Sequence, residues 1–255
     1  MRTPIGTASF MLAAATAALS FSAKADTVSL IASKDNSLFE MAGLPDLSSG
    51  RGDLFAGGIA QQDPQGNAYR RRALVQFDLS TLPAGATITG ATLRIQITRA
   101  FGGAYDFDVR RMLASWGEGN SNSGTQGTGA PAQAGDVTWN YRFFGDPSSA
   151  WNTPGGDFDP AILATTPLAG GGSYSFSGSA LASCVQGWLN GTVENDGWVI
   201  TADQEFLTTT AKRIASRESG TTTSRPTLIL QYTVPAPGVL APLAAGVLLA
   251  CRRRR

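Results

Sequence analysis

Arg70-Arg71-Arg72-Ala73-Leu74-Val75-Gln76-Phe77-Asp78-Leu79-Ser80-Thr81-Leu82-Pro83-Ala84-Gly85-Ala86-Thr87-Ile88-Thr89-Gly90-Ala91-Thr92-Leu93-Arg94-Ile95-Gln96-Ile97 alternates apolar and polar residues on both sides of a Pro- and Gly-bearing loop. Ala73, Val75, Phe77 and Leu79 fall on one face of a first strand. Ala91, Leu93, Ile95 and Ile97 fall on one face of a second, which leaves Thr92, Arg94 and Gln96 toward water. A two-residue period marks strands with one buried face each. Two strands cannot hide those faces alone, so the rest of the chain has to supply a facing sheet. The expected fold class is all-β.

Composition agrees with this. The 255 residues include 30 Gly, and only 15% are charged, as suits many strands joined by turns. Six of the 20 basic residues lie in two terminal segments without acids; without them 14 bases face 19 acids, a net charge of −5 on the central domain. Such a domain is a poor partner for nucleic acid, which is held by Lys and Arg on phosphate. The chain has no His, which excludes Ser-His-Asp and Cys-His catalysis and any His-ligated metal. Of its two Cys, Cys251 lies in the tail, so no structural disulfide is expected and Cys184 reads as a small buried residue.

Outward from the opening pair, residues 1–25 combine Arg2, an apolar run and Ala23-Lys24-Ala25, which reads as a signal peptide cut between Ala25 and Asp26. Thr27–Ala32 alternates as a strand. In Asp35-Asn36-Ser37-Leu38-Phe39-Glu40 the Asp and Asn read as turn formers, and Asp35, Asn36 and Glu40 are candidate oxygen ligands for a hard cation such as calcium. Gly43–Gly66 is loop-rich, with Leu54–Ala56 as a short strand. The run Arg70-Arg71-Arg72 is either a solvated strand end or, through forked bonds, a contact for an acidic sugar; alternation points Arg71 away from Arg70 and Arg72.

Farther on, Asp106–Leu113 reads as a strand, and the Gly/Ser/Thr-rich stretch to Gly135 as a mobile surface loop. Val137–Asn140 returns to strand, and Trp151 with the turn Pro154–Pro160 forms a second excursion. Trp116 and Trp151 are candidate flat platforms for sugar rings, beside Arg70 and Arg72; Trp139, inside a strand, reads as core. From Ser179, a candidate N-cap, Leu181, Val185, Trp188 and Leu189 recur at helical spacing until Asn190-Gly191 stops one or two turns of helix. Gly197–Thr201 and Arg225–Val234 are strands, joined through a polar approach, Ala211–Glu218.

After Val234 comes Pro235-Ala236-Pro237-Gly238, then 13 residues of apolar run and Arg252, Arg253, Arg254 and Arg255. That run is shorter than the roughly 20 residues of a spanning helix, and terminal Arg hold an end on the cytoplasmic side. The order of motif, apolar run and Arg cluster resembles the PEP-CTERM sorting tail. It implies passage through the inner membrane, processing by an exosortase and delivery to the cell surface.

The domain between, residues 26–234, resembles the DNRLRE family, which is related to carbohydrate-binding module family 96. Asp35–Glu40 matches four of the six letters in the name. The likeness continues through Arg71–Asp78, Pro83–Ile88, Trp116-Gly117-Glu118-Gly119, Thr138-Trp139, Pro154–Phe158, Ser216-Arg217-Glu218 and Arg225–Leu228. It implies a jelly-roll β-sandwich that binds extracellular polysaccharide and has no catalytic residues. Two rivals remain at this point: a structural or adhesive matrix protein, and a polysaccharide-cleaving enzyme with Glu118 and Asp157 as its carboxylate pair.

Overall fold

The structure is a computed structural model; it describes residues 24–44 and 46–234. Residues 1–23 of the expected signal peptide, and the expected sorting tail with Pro235, Pro237 and the four terminal Arg, lie outside the described residues. The expected cleavage point, Ala25 and Asp26, falls within the first strand.

Thirteen strands and one α-helix follow in chain order: β1 Lys24–Ile31, β2 Lys34–Phe39, β3 Leu47–Ser48, β4 Leu54–Gln62, β5 Ala68–Gln76, β6 Thr87–Ala100, β7 Tyr105–Arg111, β8 Ala130–Pro131, β9 Ala164–Leu168, β10 Gly172–Ser177, α1 Ser179–Leu189, β11 Trp198–Ala202, β12 Lys212–Ile214 and β13 Thr227–Val234. The fold is all-β. One curled sheet runs β1-β13-β6-β12-β4-β5-β11-β7-β9, with β10 added beside β6 and β2 beside β5. Every pair with a defined register is antiparallel. The curl sets a wing built on β6 against a wing built on β5, and the two inner faces share one core: Ala73, Val75 and Phe77 with Ala91, Leu93, Ile95 and Ile97. The facing sheet demanded by the opening pattern is therefore the opposite wing of the same curled sheet, with β5 and β6 on either side of the core. No helix among the described residues is long and apolar enough to cross a membrane.

Inward residues change parity once along β6, from Ile88 to Ala91. The cause is a bulge: Gln231 of β13 faces Gly90 while Tyr232 faces Ile88, so Thr89 is the extra residue. The Ile88 amide is held there by the Gln186 side chain of α1 at 2.7 Å. That helix runs three turns, longer than its spacing suggested. It starts after Gly178 rather than with Ser179 as cap. Its buried Leu181, Val185 and Trp188 enter the main core, where Trp188 lies 4.9 Å from Trp198. Cys184 is half-buried, and its sulfur accepts from the Trp198 indole at 3.5 Å.

β5 departs from the expectation of one buried face. Its outward residue Leu74 is as buried as Ala73 and Val75, because a second core of Leu38, Leu74, Met112, Trp116, Val137, Trp139, Trp151 and Val199 covers that side. The cover is the long connection from Met112 to Phe158. Its Gly-rich part, read as a mobile loop, is instead tied down: buried Asp136 accepts from the amides of Asn120 (2.7 Å), Ser121 (3.3 Å) and Gln133 (2.6 Å). Gly119 passes so close to Asp136 that a Cβ there would fall 1.6 Å from Oδ1. Val137–Asn140 makes no strand, although Val137 and Trp139 are buried.

Further corrections follow from the same cover. Asp35, Asn36 and Ser37 are not a turn but the middle of β2, buried beside β5. The polar groups of Asn36 and Ser37 are matched by side-chain bonds: the Asn36 carboxamide is held by Ser48, Ser49 and the Glu118 carbonyl. The Ser37 hydroxyl takes the Phe55 amide at 2.9 Å. Polar turn formers can thus sit in a strand when each finds a partner. The strand at Leu54 extends to Gln62, and the approach from Ala211 contains β12.

Candidate functional site

Alternation along β5 separates the three arginines as expected. Arg71 points into the protein, wholly buried, donating to the carbonyls of Gly127 (2.8 Å), Glu40 (2.7 Å) and Arg70 (2.9 Å). Burial lowers its pKa to about 10. It is a tie between β5 and the Gly-rich connection, not a solvated charge.

Arg70 and Arg72 emerge on the opposite face. The Arg70 guanidinium forks onto Glu40 with two 2.7 Å bonds, and Arg72 forks onto Glu205 at 3.1 and 2.5 Å while donating to the Gly155 carbonyl at 2.7 Å. Both stack on Trp139, at 4.8 and 4.9 Å from its centroid. Arg70 also meets Phe206 (4.7 Å) and Arg72 meets Phe158 (5.1 Å). Delocalised guanidinium planes suit such stacking, which a Lys would not reproduce. Burial alone would raise the Glu40 pKa, but its bonds from Arg70 outweigh burial and hold it below the ordinary carboxylate value. The same fork raises the Arg70 pKa.

Arg70, Arg72 and Phe158 line a cleft of ≈ 490 Å³ together with Leu113, Asn152 and Asp157. Its far wall is the turn before Phe158. There Asp157 accepts from the Asn152 amide (2.9 Å), the Asn152 side chain (3.0 Å) and the Thr153 amide (3.0 Å). Gly155 has φ +94°, and a Cβ there would lie 2.6 Å from Arg72 Nη1 and 2.7 Å from Trp139. Only glycine lets the turn close against the stacked arginine. Phe206 and Leu113, half exposed, stand near the cleft as apolar surface.

The two expected sugar platforms are elsewhere in role. Trp116 is 1% exposed and Trp151 5%, so neither offers a ring face to solvent. The Trp116 indole donates to the Asp196 carbonyl at 2.9 Å, and its ring carries Lys34 at 4.1 Å. The Trp151 indole donates to the Thr138 carbonyl at 3.0 Å. A loop position does not expose a Trp when the loop is itself the cover of a second core.

The expected calcium set of Asp35, Asn36 and Glu40 does not assemble. Glu40 belongs to Arg70, and Asn36 is consumed by its carboxamide network. Asp35 instead joins Glu118 and Glu218, with one oxygen from each within 4.8 Å of the others. Arg217 lies among them: it forks onto Glu118 at 2.5 and 2.7 Å, its Nε is 3.1 Å from Glu218, and its amide donates to Asp35 Oδ2 at 2.7 Å. Burial, then the neighbouring Glu218 carboxylate, pushes the Asp35 pKa well above its ordinary value. Of the rival catalytic pair, Glu118 is committed to Arg217 and Asp157 to the 152–153 turn. Glu205, Phe206, Arg217 and Glu218 were not predicted as partners of these sites; none stands at a spacing from the arginines or from Asp35 that links them. Neither a protein-family model nor a curated protein sequence matches the chain.

Proposed function

We propose that residues 26–234 form a non-catalytic carbohydrate-binding module of jelly-roll topology, which takes an extracellular polysaccharide in the Arg70–Arg72 cleft. The observation that carries this reading is the construction of the cleft: the Arg70 and Arg72 guanidinium groups, stacked on the buried Trp139, line it together with Phe158 and Asn152. Sugars present hydroxyls at their edges and C–H groups on their faces, so aromatic surface beside fixed polar groups is a fitting receptor. The motif order shared with the DNRLRE family and the two facing wings of the sheet support the same class. The signal-peptide-like start and the PEP-CTERM-like end support export, exosortase processing and display at the cell surface.

Each arginine in the cleft already faces a carboxylate, and the domain carries a net charge of −5. A polyuronate would compete with Glu40 for Arg70 against that field, whereas a neutral polysaccharide would not. The preferred ligand class is therefore neutral or sparsely charged. Calorimetric titration of the full-length chain with neutral and acidic polysaccharides tests this. Saturable heat with a neutral polymer, weakened about tenfold or more by Arg70→Gln, is the expected result. Silence with every polymer from a folded chain would replace this reading with the adhesive matrix role. Release of reducing ends would restore the enzyme.

A further inference from the structure

We infer that Asp35, Glu118 and Glu218 bind one hard divalent cation, of the calcium type, and thereby join three segments distant in the sequence. This site is separate from the cleft and does not depend on the polysaccharide reading. Asp35 lies on β2, Glu118 at the start of the cover and Glu218 beyond β12, yet their oxygens approach within 4.8 Å.

Clustered acids alone would not suffice, since they are often simply solvated. Here two of the oxygens are also buried. Asp35 is wholly buried and its Oδ1 has no hydrogen-bond partner; Glu218 Oε2 is likewise buried and without one. Two bare carboxylate oxygens in one group call for a cation or a proton, because burying an unpaired acceptor costs its full hydration. The charges favour the cation. Three carboxylates meet one guanidinium, that of Arg217, which leaves two negative charges for a divalent ion to balance. The nearest ammonium, Lys34, is turned to the Trp116 carbonyl at 2.6 Å and to its ring.

The donor set is oxygen only. That suits calcium, which accepts six to eight oxygens flexibly and can complete its shell with carbonyls and water. Access exists from one side, because the Glu118 and Glu218 side chains keep 16% and 23% of their exposure.

The test is calorimetric titration of the chelated full-length chain with calcium chloride, paired with melting curves in calcium and in chelator. The expected result is one saturable site per chain and a higher melting temperature with calcium. Glu218→Gln should weaken binding at least tenfold. In chelator the same change should raise the melting temperature by relieving repulsion, a reversal of sign that a merely structural glutamate would not give. If that variant does not fold, Glu218→Asp, which keeps the charge and shortens the reach, should fold and bind measurably more weakly. Absence of saturable binding by the native chain would overturn the inference and assign the bare oxygens a shared proton. Unchanged affinity in a folded Glu218 variant would overturn it equally.

Discussion

The β5 and β6 wings begin from the same two-residue alternation and end in different surroundings. On β6 the inward set Ala91, Leu93, Ile95 and Ile97 is buried, while outward Thr92, Arg94 and Gln96 keep partial contact with water. On β5 the inward Ala73 and Val75 have an outward neighbour, Leu74, that is equally buried, flanked by the stacked Arg72. The difference lies in what the chain does afterwards: among the described residues no second core covers the outside of β6, whereas the connection from Met112 to Phe158 folds back over β5. Both the cleft and the acidic group lie on that doubly covered wing. Binding chemistry has accumulated where a sheet face is roofed by irregular chain, since such a roof can position side chains and backbone carbonyls at angles that a regular strand does not allow.

Substitutions at matched positions sharpen this contrast. Leu74→Ala on the outward face of β5 should cost about 2–5 kcal/mol, as a buried Leu in a core does. Denaturant unfolding measures it, and a loss below about 1 kcal/mol would mean that the cover is not packed. A smaller and pH-dependent effect is expected at Glu40. Its folded pKa lies below the ordinary value of 4.5, so its contribution is complete above that pH and disappears as pH falls through the lower folded value. Glu40→Gln should lower stability at neutral pH by on the order of 1 kcal/mol after discounting for partial exposure, with the two stability–pH curves converging in acid. Parallel curves down to the acid limb would remove the Arg70 fork as its source. The smallest effect belongs to β6: Thr92→Ala on its outward face should change stability by no more than about 0.5 kcal/mol. A large loss there would erase the distinction between the wings.

How far these sites were legible follows from the range of the signals. Periodicity is local, so the inward faces of β5 and β6, the apolar stripe of α1 and the opposite aim of Arg71 were all readable from neighbours a few residues away. The cover was not, because Trp116 and Trp151 stand in irregular chain with no period, and their burial depends on a face presented by another strand; Trp139 alone was read as core, although the strand expected around it does not form. Asp35 and Asn36 were misread for the same reason. Their types favour turns, and only the partners supplied by Ser48, Glu118 and Arg217 make a buried strand tolerable. The calcium ligands expected at Asp35, Asn36 and Glu40 do not come together because β2 sends Asp35 and Asn36 to opposite sides and Glu40, beyond its end, is taken by Arg70. Glu118 and Glu218, which do reach Asp35, are placed by tertiary contact alone.

The bond from the Arg217 amide to Asp35 spans 182 positions. Synthesis runs from the first of these residues to the second, so β2 waits for its last partners until nearly the whole domain has been made. β5 waits likewise for β11. Contacts of such separation make the closing step slow. A chain that stops before Arg217 lacks both the amide that bonds Asp35 and the guanidinium that pairs with Glu118. The charges near the start of the domain are thus balanced only from its far end.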